Sequence, residues 1–448
     1  DVGLAPLKYP GLAPWEIWLS EAQERMVLAV DPANLDALGD VCARHGVELT
    51  DLGHFTGEGW LRVRYGDVLL VDLGVEFVHN GRPPRTMIAE WPTPPRAAAD
   101  QQPARQLDVA STLLALLAHP NIASKHRIVR QFDHEIRGAT VIRPLTGVLD
   151  DGPADGVVLA EPADTHGFAV GIGVNPWYGQ IDPEWMAHAV VDEAIRNVVA
   201  AGADPDRVAL MDNFSWGDPR QPSTLGALAA AVRGCCDASV SHRAPFVSGK
   251  DSLNNEFIGV DGNRHAVPPT LVITAVAHVT DAGRVVTPDL KSAGNRLLLV
   301  GSGSAVPVWG GSHVDLVYGA SGDPVPAPDP GAPERYRRMY VLLATGSVVS
   351  CHDVSEGGVA VAVAEMAIGG RLGVRLGPDF GGDQRALFGE ANGRFIIEVA
   401  PARVGAVTAA LDGEVLDIGE VLDEPVLHLA GSTVALDAVV AAWTGVSR

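Results

Sequence analysis

The chain has 448 residues, 47% hydrophobic and 20% charged, with 50 Gly and 32 Pro, enough for two to four turn-rich globular domains. Its formal net charge of −22 argues against a nucleic-acid backbone as partner, since phosphates are neutralised by clustered Lys and Arg. No apolar run reaches ~18 residues without a charge or Pro, so no membrane span is expected, and no basic leader with an apolar core is visible.

In chain order, Ser20 to Met26 (SEAQERM) leads into an apolar strand pattern over Val27–Val30, then a helical period, then a Gly-containing strand turn, Val47 to Gly53. The Pro-, Arg- and Ala-rich stretch from Trp91 to Arg105 reads as a linker. Leu107–Ala118 is apolar with helical period and is stopped by His119-Pro120. From Gly147 strands alternate with longer helices. Val157–Ala160, Gly167–Gly173, Val208–Met211 and Leu271–Val279 predict strands, and Pro183–Ala201 a helix with Asp182 at its N-cap and Gly202 just past its end. Near the end, Gly389 to Phe395 (GEANGRF) leads into Ile396–Val399, a helical period and the Gly419 strand turn. Glu21 thus matches Glu390 and Gly53 matches Gly419, which predicts a duplicated α/β unit. The glycine-rich lead-in of the second copy, Ser355 to Gly382, has no counterpart before Glu21, so the chain is expected to begin inside the first copy. The predicted class is α/β, with mixed α+β character.

Several segments carry possible chemistry. In Pro245 to Glu256 an apolar strand runs into Ser248-Gly249-Lys250-Asp251-Ser252; Gly249 would let the backbone approach a phosphate, though the Walker spacing is absent. Leu210 to Gly217 has the same layout, with Asp212 and Asn213 at the expected strand end, where an Asx-turn is the plain structural alternative. Glu193 and Asn197 stand at i and i+4 on one helix face and offer oxygens suited to Mg²⁺. Asp155 in Gly152 to Gly156 and Asp353 in Cys351 to Gly358 are carboxylates at glycine turns; Gly357-Gly358 would open a helix whose N-terminus favours anions. His352 reads as a packed or metal-proximal histidine. Cys42, Cys235, Cys236 and Cys351 lack zinc-ligand spacing and read as reduced cytoplasmic thiols.

Leu19 to Met26, Gln131 to Glu135, Asp192-Glu193-Ala194, Asp212-Asn213-Phe214, Ser248 to Glu256 and His352 to Gly358, in this order, resemble the phosphoribosylformylglycinamidine synthase family. The resemblance spans essentially the whole chain. It implies two tandem AIR synthetase-like units, each an ATP-binding half and a C-terminal α/β half. Residues 1–96 would end the first C-terminal half, 97–145 would be linker and helix, 146–290 the second ATP-binding half and 291–448 the second C-terminal half. The implied reaction is ATP-dependent amidation of formylglycinamide ribonucleotide by glutamine-derived ammonia, with ATP and Mg²⁺ as cofactors. Carried over position by position, Asp212 and Gly249 resemble ATP-binding residues and Ser252 a substrate-binding one. Ala154 and Ser355 match an auxiliary nucleotide site, and Asp155, Glu193, Asn197 and Asp353 its metal ligands. Lys250 stands where small-subunit relatives have a metal-binding Asn, which puts ligation there in doubt. The family's catalytic His lies in an N-terminal half not contained in this sequence, so the chain alone is expected to be inactive or completed by another chain. The implied partners are that N-terminal half, a glutaminase subunit and a small bridging subunit. The competing readings are another enzyme of the superfamily and a non-catalytic nucleotide-binding scaffold.

Overall fold

The computed structural model describes residues 1–448 except 8, 23, 96–105, 132–134, 136, 162–163, 302–305, 378–382 and 446–448. Most of the expected linker, part of the Gln131–Glu135 segment and the end of the glycine-rich lead-in therefore lie outside the described residues. The chain divides into two compact units, Asp1–Thr86 and Met87–Arg448.

In the first unit, β1 (Trp60–Tyr65) and β2 (Val68–Gly74) form an antiparallel hairpin. Helices Pro14–Leu19, Leu35–Arg44 and Val75–Asn80 accompany it. The buried apolar core is Val2, Ile17 and Val63. The strands expected at Val27–Val30 and Val47–Gly53 do not form, whereas the helix between them does. A strand needs a neighbour to pair its N–H and C=O groups. Among the described residues of this unit the only ladder is that of β1 and β2.

The second unit is built on two sheets. In the first, β3 (Thr140–Ile142), β4 (Gly156–Ala160), β5 (Gly167–Val174), β6 (Val208–Ser215), β7 (Phe246–Ser252) and β8 (Thr270–Val279) lie in the order β3-β4-β5-β8-β6-β7. All neighbours are antiparallel except β6 and β7, which helix Pro222–His242 joins in parallel. Asp212-Asn213 and Gly249–Ser252 were expected at turns beyond strand ends. They lie inside β6 and β7, Asp212 opposite Gly249 and Ser215 opposite Ser252, because each strand supplies the other's ladder that far. No Asx-turn is therefore made at Asp212.

The second sheet contains β9 (Arg296–Val300), β10 (Ser350–Asp353), β11 (Gly373–Leu376), β12 (Phe395–Val399), β13 (Val415–Leu422), β14 (Val426–Leu429) and β15 (Ser432–Ala435). Their order is β10-β12-β9-β13-β11-β14-β15. β12 is paired on both sides, and its side chains alternate between two cores: Phe395, Ile397 and Val399 in one, Ile396 in the other.

Two helices carry the candidate site. α1 (Pro183–Ala200) starts as the sequence predicts, the Asp182 carboxylate accepting the Glu184 and Trp185 amides. It lies directly on β5 because Gly171 and Gly173 have no side chains. A Cβ on Gly173 would sit 2.0 Å from the Val190 carbonyl oxygen, and one on Gly171 2.8 Å from that of Ala194. Met186, Val190, Val191, Ile195, Val198 and Val199 of α1 are almost fully buried, each worth about 1.5–3 kcal/mol of apolar burial. α2 (Gly358–Gly370) is buried on most sides and is entered through Gly357 and Gly358, both at positive φ (74° and 68°). Among the described residues no helix is long and apolar enough to cross a membrane.

Candidate nucleotide and metal site

The close approach of α1 to β5 orients two side chains. Glu193 Oε2 accepts the Val174 amide at 2.9 Å, and Asn197 Nδ2 donates to the Ile172 carbonyl at 2.8 Å. Each contact ties down one atom and leaves the other free: Glu193 Oε1 and Asn197 Oδ1. The latter is buried without a hydrogen-bond partner.

β10 ends at Asp353. Arg196, one turn along α1 from Asp192, donates to Asp353 Oδ2 from Nε (3.4 Å) and Nη2 (3.2 Å), and from Nη1 to Asp192. Asp192 is completed by the Tyr336 hydroxyl at 2.5 Å and the Gly393 amide at 3.0 Å. Asp353 Oδ1 lies 3.9 Å from His352 Nδ1. The third wall is a two-stranded turn, Leu145-Thr146 against Gly152-Pro153, that rides on the glycine end of α2. A Cβ on Gly152 would lie 2.7 Å from the Gly369 Cα, so a side chain there would lift the turn. Asp155 follows. Its carboxylate meets His352 Nδ1 at 2.6 Å and the Asp353 amide at 3.3 Å, while His352 Nε2 lies 3.1 Å from Glu365.

Ala154, Asp155, Glu193, Asn197, Asp353 and Ser355 thus line one cavity of about 170 Å³. Asp212, Gly249 and Ser252 do not line it. They form a separate patch on the edge pair β6–β7, where a Cβ on Gly249 would meet the Asp212 carboxylate oxygens at 2.5 Å. Lys250 Nζ donates to Ser252 Oγ there. Burial, then the neighbouring Asp251, raises the Asp212 pKa.

The cavity is strongly acidic. Burial pushes the Asp155 carboxyl up to about 7, against the pull of His352. Burial alone would lower the His352 pKa, but Asp155 and then Glu365 outweigh it and raise it well above the usual range. With a 2.6 Å contact, the arrangement we favour is an imidazolium paired with two carboxylates. Burial, then Glu356, holds the Glu193 pKa well above normal. Burial also raises Glu356, with His313 opposing.

Several of these residues escaped sequence reasoning. Glu365 reaches the cavity through the placement of α2, and Glu356 from the turn between β10 and α2. The Asp192/Arg196 pair was legible as an i, i+4 ion pair, but not its third member, Asp353. Glu390 was read only as a strand lead-in. It is a buried anion on the Gly357 amide (3.0 Å), the Tyr178 hydroxyl (2.5 Å) and His313 Nδ1 (3.1 Å). The anion expected at the N-terminus of α2 is therefore the protein's own.

The donor set suits a hard cation: carboxylate and amide oxygens on separate elements, with Asn197 Oδ1 unsatisfied. Ligand atoms of Asp155, His352 and Asp353 lie within 4.8 Å of one another, but His352, paired through both nitrogens, offers no lone pair, so the oxygens are the candidate ligands.

Comparison with known proteins agrees with this architecture. A family model described as AIR synthase related protein, C-terminal domain, matches residues 2–66 and 292–431, and the corresponding N-terminal domain model matches 153–279. The chain belongs to the AIR synthase-related family. The resemblance to phosphoribosylformylglycinamidine synthase is borne out as well. The PurL subunit of that enzyme from Thermomicrobium roseum is 34% identical over 96% of this chain and 60% of its own length. That from Deinococcus radiodurans is 32% identical over 99% and 60%. The chain thus spans less than two thirds of these relatives. Thermotoga maritima PurL complexed with FGAR aligns with a TM-score of 0.56 at 17% identity, over 75% of this chain and 54% of that one. The PurLQS structure from the same organism aligns at 0.54 and 17%, over 76% and 53%. At that identity the likeness shows the shared AIR synthase-related fold. One C-terminal-domain model matching both ends of the chain accords with the duplication read from Glu21/Glu390 and Gly53/Gly419.

Proposed function

We propose that this chain is the part of a phosphoribosylformylglycinamidine synthase that holds a Mg²⁺-bound nucleotide in the cavity beside α1 and β10. Through Asp212, Gly249 and Ser252 it would also contribute to ATP-dependent amidation of formylglycinamide ribonucleotide. The observation that carries this reading is the convergence of oxygens from three distant segments, around 155, 193–197 and 353, on one buried cavity in a chain of this family. Bound Mg²⁺ supplies charge neutralisation for a polyphosphate. Asp155, Glu193, Asn197 and Asp353 would hold it, and Ala154 and Ser355 would contact the nucleotide. Gly249 leaves room for the Asp212 carboxylate against the backbone of β7, and Asp212, Gly249 and Ser252 would contact ATP and substrate. Ammonia would come from a glutaminase partner, with a small bridging subunit, as the family resemblance implies. The domain division follows the family: 1–96 closing one C-terminal half, 97–145 connecting, 146–290 and 291–448 forming the second unit.

Calorimetric titration with ADP and Mg²⁺ tests the cavity. Saturable binding is expected, weakened at least about tenfold in Asp353→Asn, which loses the charge facing the ligand (~1.4 kcal/mol per tenfold). Absence of binding to the native chain would sink the reading. Amidation is tested in the full assembly with ammonium as donor. Asp212→Asn is expected to lower kcat/KM by roughly 10²-fold or more, the scale of a lost transition-state contact.

A second reading, a nucleotide-holding scaffold, is favoured by one observation. Both nitrogens of His352 and both oxygens of Asp155 are already engaged, so neither is free to act as a base for turnover. Nucleotide recovered unchanged after long incubation with the chain would support it.

A further inference from the structure

We propose that Glu390 is a positioning residue of the nucleotide cavity, a latch that holds the turn carrying Ser355 and Glu356 against the half of the second unit that carries Glu193. The inference rests on reading the cavity as a nucleotide site and adds the residue that holds its two walls in register.

The first ground is that the latch spans both halves. Glu390 lies in the stretch matched by the C-terminal-domain model, 292–431, and Tyr178 in that matched by the N-terminal-domain model, 153–279. The Tyr178 hydroxyl donates to Glu390 Oε2 at 2.5 Å. Tyr178 is itself fixed, because its amide donates to Asn175 Oδ1 at the start of helix Pro176–Ile181. Its ring lies against Gly311 of the other half, where a Cβ would come within 2.8 Å of the ring. Glu390 Oε1 accepts from its own half: the His313 amide at 2.8 Å, His313 Nδ1 at 3.1 Å and the Gly357 amide at 3.0 Å. Tyr178, His313 and Glu390 are all buried, so water is a poor substitute for the carboxylate, and a donor left without it would be costly.

The second ground is that the Gly357 bond reaches the cavity wall. Ser355 to Gly358 form a turn closed by the Gly358 amide on the Ser355 carbonyl at 3.1 Å, and Ser355 and Glu356 line the cavity. A Cβ on Gly358 would lie 2.7 Å from the Gly389 carbonyl oxygen and 2.9 Å from that of Leu387. The turn is thus seated on the backbone that leads into Glu390. Glu390 also lines a smaller, second cavity together with Glu193, Ser355 and Glu356, all three of which line the nucleotide cavity too. Three residues on, the Gly393 amide donates to Asp192 of α1 at 3.0 Å. The stretch from Glu390 to Gly393 is therefore tied to the first half at both ends, and the Gly357 bond passes that register to the turn.

Calorimetric titration of the full chain with ADP and Mg²⁺, alongside thermal melting, tests the latch. Glu390→Leu leaves these donors unpaired and is expected to weaken binding at least about tenfold. Tyr178→Phe removes only the hydroxyl that crosses between the halves. It should weaken binding about three- to tenfold with the far-ultraviolet circular dichroism unchanged. Glu390→Gln keeps an oxygen for Gly357 and His313 and a nitrogen for the Tyr178 oxygen. Its affinity should stay within about threefold of native although the charge is lost and melting falls. A purely structural role would lower melting in all three and leave the affinity of the folded chain alone. The latch is overturned if folded Glu390→Leu or, should that variant not fold, Tyr178→Phe binds ADP as the native chain does. It is also overturned if Glu390→Gln weakens binding as much as removal of the carboxylate. In these cases native binding persists and the nucleotide reading stands; if the native chain does not bind ADP, that reading falls and the latch with it.

Discussion

Two regions of the molecule share a sequence pattern and differ in structure. SEAQERM-Val27 and GEANGRF-Ile396 both make a left-handed turn at the matching position, Glu24 with φ 62° and Gly393 with φ 72°. The later glycines also agree, Gly53 at φ 150° and Gly419 at φ 159°. Yet Phe395–Val399 is a strand paired on both sides, while Val27–Val30 is not a strand and Val27 is 87% exposed. Glu390 is buried in a hydrogen-bonded ion pair, and its counterpart Glu21 is exposed. Local backbone geometry follows local sequence, because steric preferences act within a few residues. Strand formation and burial follow neighbours, and only the second region has β9 and β10 beside it.

That contrast can be broken or sharpened by paired substitutions. The largest effect is expected for Phe395→Ala. The ring is fully buried against Tyr336, so its loss should cost about 3–5 kcal/mol in urea denaturation. Met26→Ala at the matching, 83% exposed position should change stability by less than about 0.5 kcal/mol. Equal losses would erase the distinction.

Glu390→Gln should cost about 2–3 kcal/mol through its charged hydrogen bonds, and Glu21→Gln next to nothing. The same residue sets a pH dependence. Burial works against the Glu390 carboxylate, but His313 outweighs it and lowers its pKa from 4.5, so this stability is present above 4.5 and lost as pH falls through the folded value. His313 is disfavoured by burial yet raised from 6.5 by Glu390, so its share is present below 6.5 and lost as pH rises through its own folded value. Melting temperatures from pH 4 to 9 should therefore show a contribution greatest between 4.5 and 6.5. Glu390→Gln should flatten it, and Glu21→Gln should leave it alone.

The turns give smaller effects. Gly393→Ala should cost about 1–2 kcal/mol for a side chain at positive φ, and somewhat more because its Cβ would meet Asp329 and Arg335 at 2.7 and 2.8 Å. Glu24→Gly relieves the matching conformation and should stabilise the first unit by up to about 1 kcal/mol, read as slower amide exchange around residue 24. Destabilisation by Glu24→Gly would mean the shared turn is not intrinsic to that stretch.

What the chain's order of residues could specify was whatever depends on near neighbours. Helix 183–200 with its Asp182 cap, the strands 156–160, 167–174 and 270–279, the Glu193/Asn197 face and the glycine entry to α2 all follow from period, capping and φ preference. Family motifs named the residues around the cavity and the β6–β7 patch. What only the folded chain decided depends on partners far away in sequence. Pairing set the extent of β6 and β7 and denied a ladder to Val27–Val30. Gly171 and Gly173 brought α1 onto β5 and thereby left Asn197 Oδ1 buried without a partner. The placement of α2 added Glu365, the turn before it added Glu356, and Arg196 came to bridge Asp192 to Asp353. The physical reason is common to all of these: a backbone angle is fixed by atoms a few bonds away, whereas a buried charge or unpaired oxygen is defined by whatever the rest of the chain packs around it.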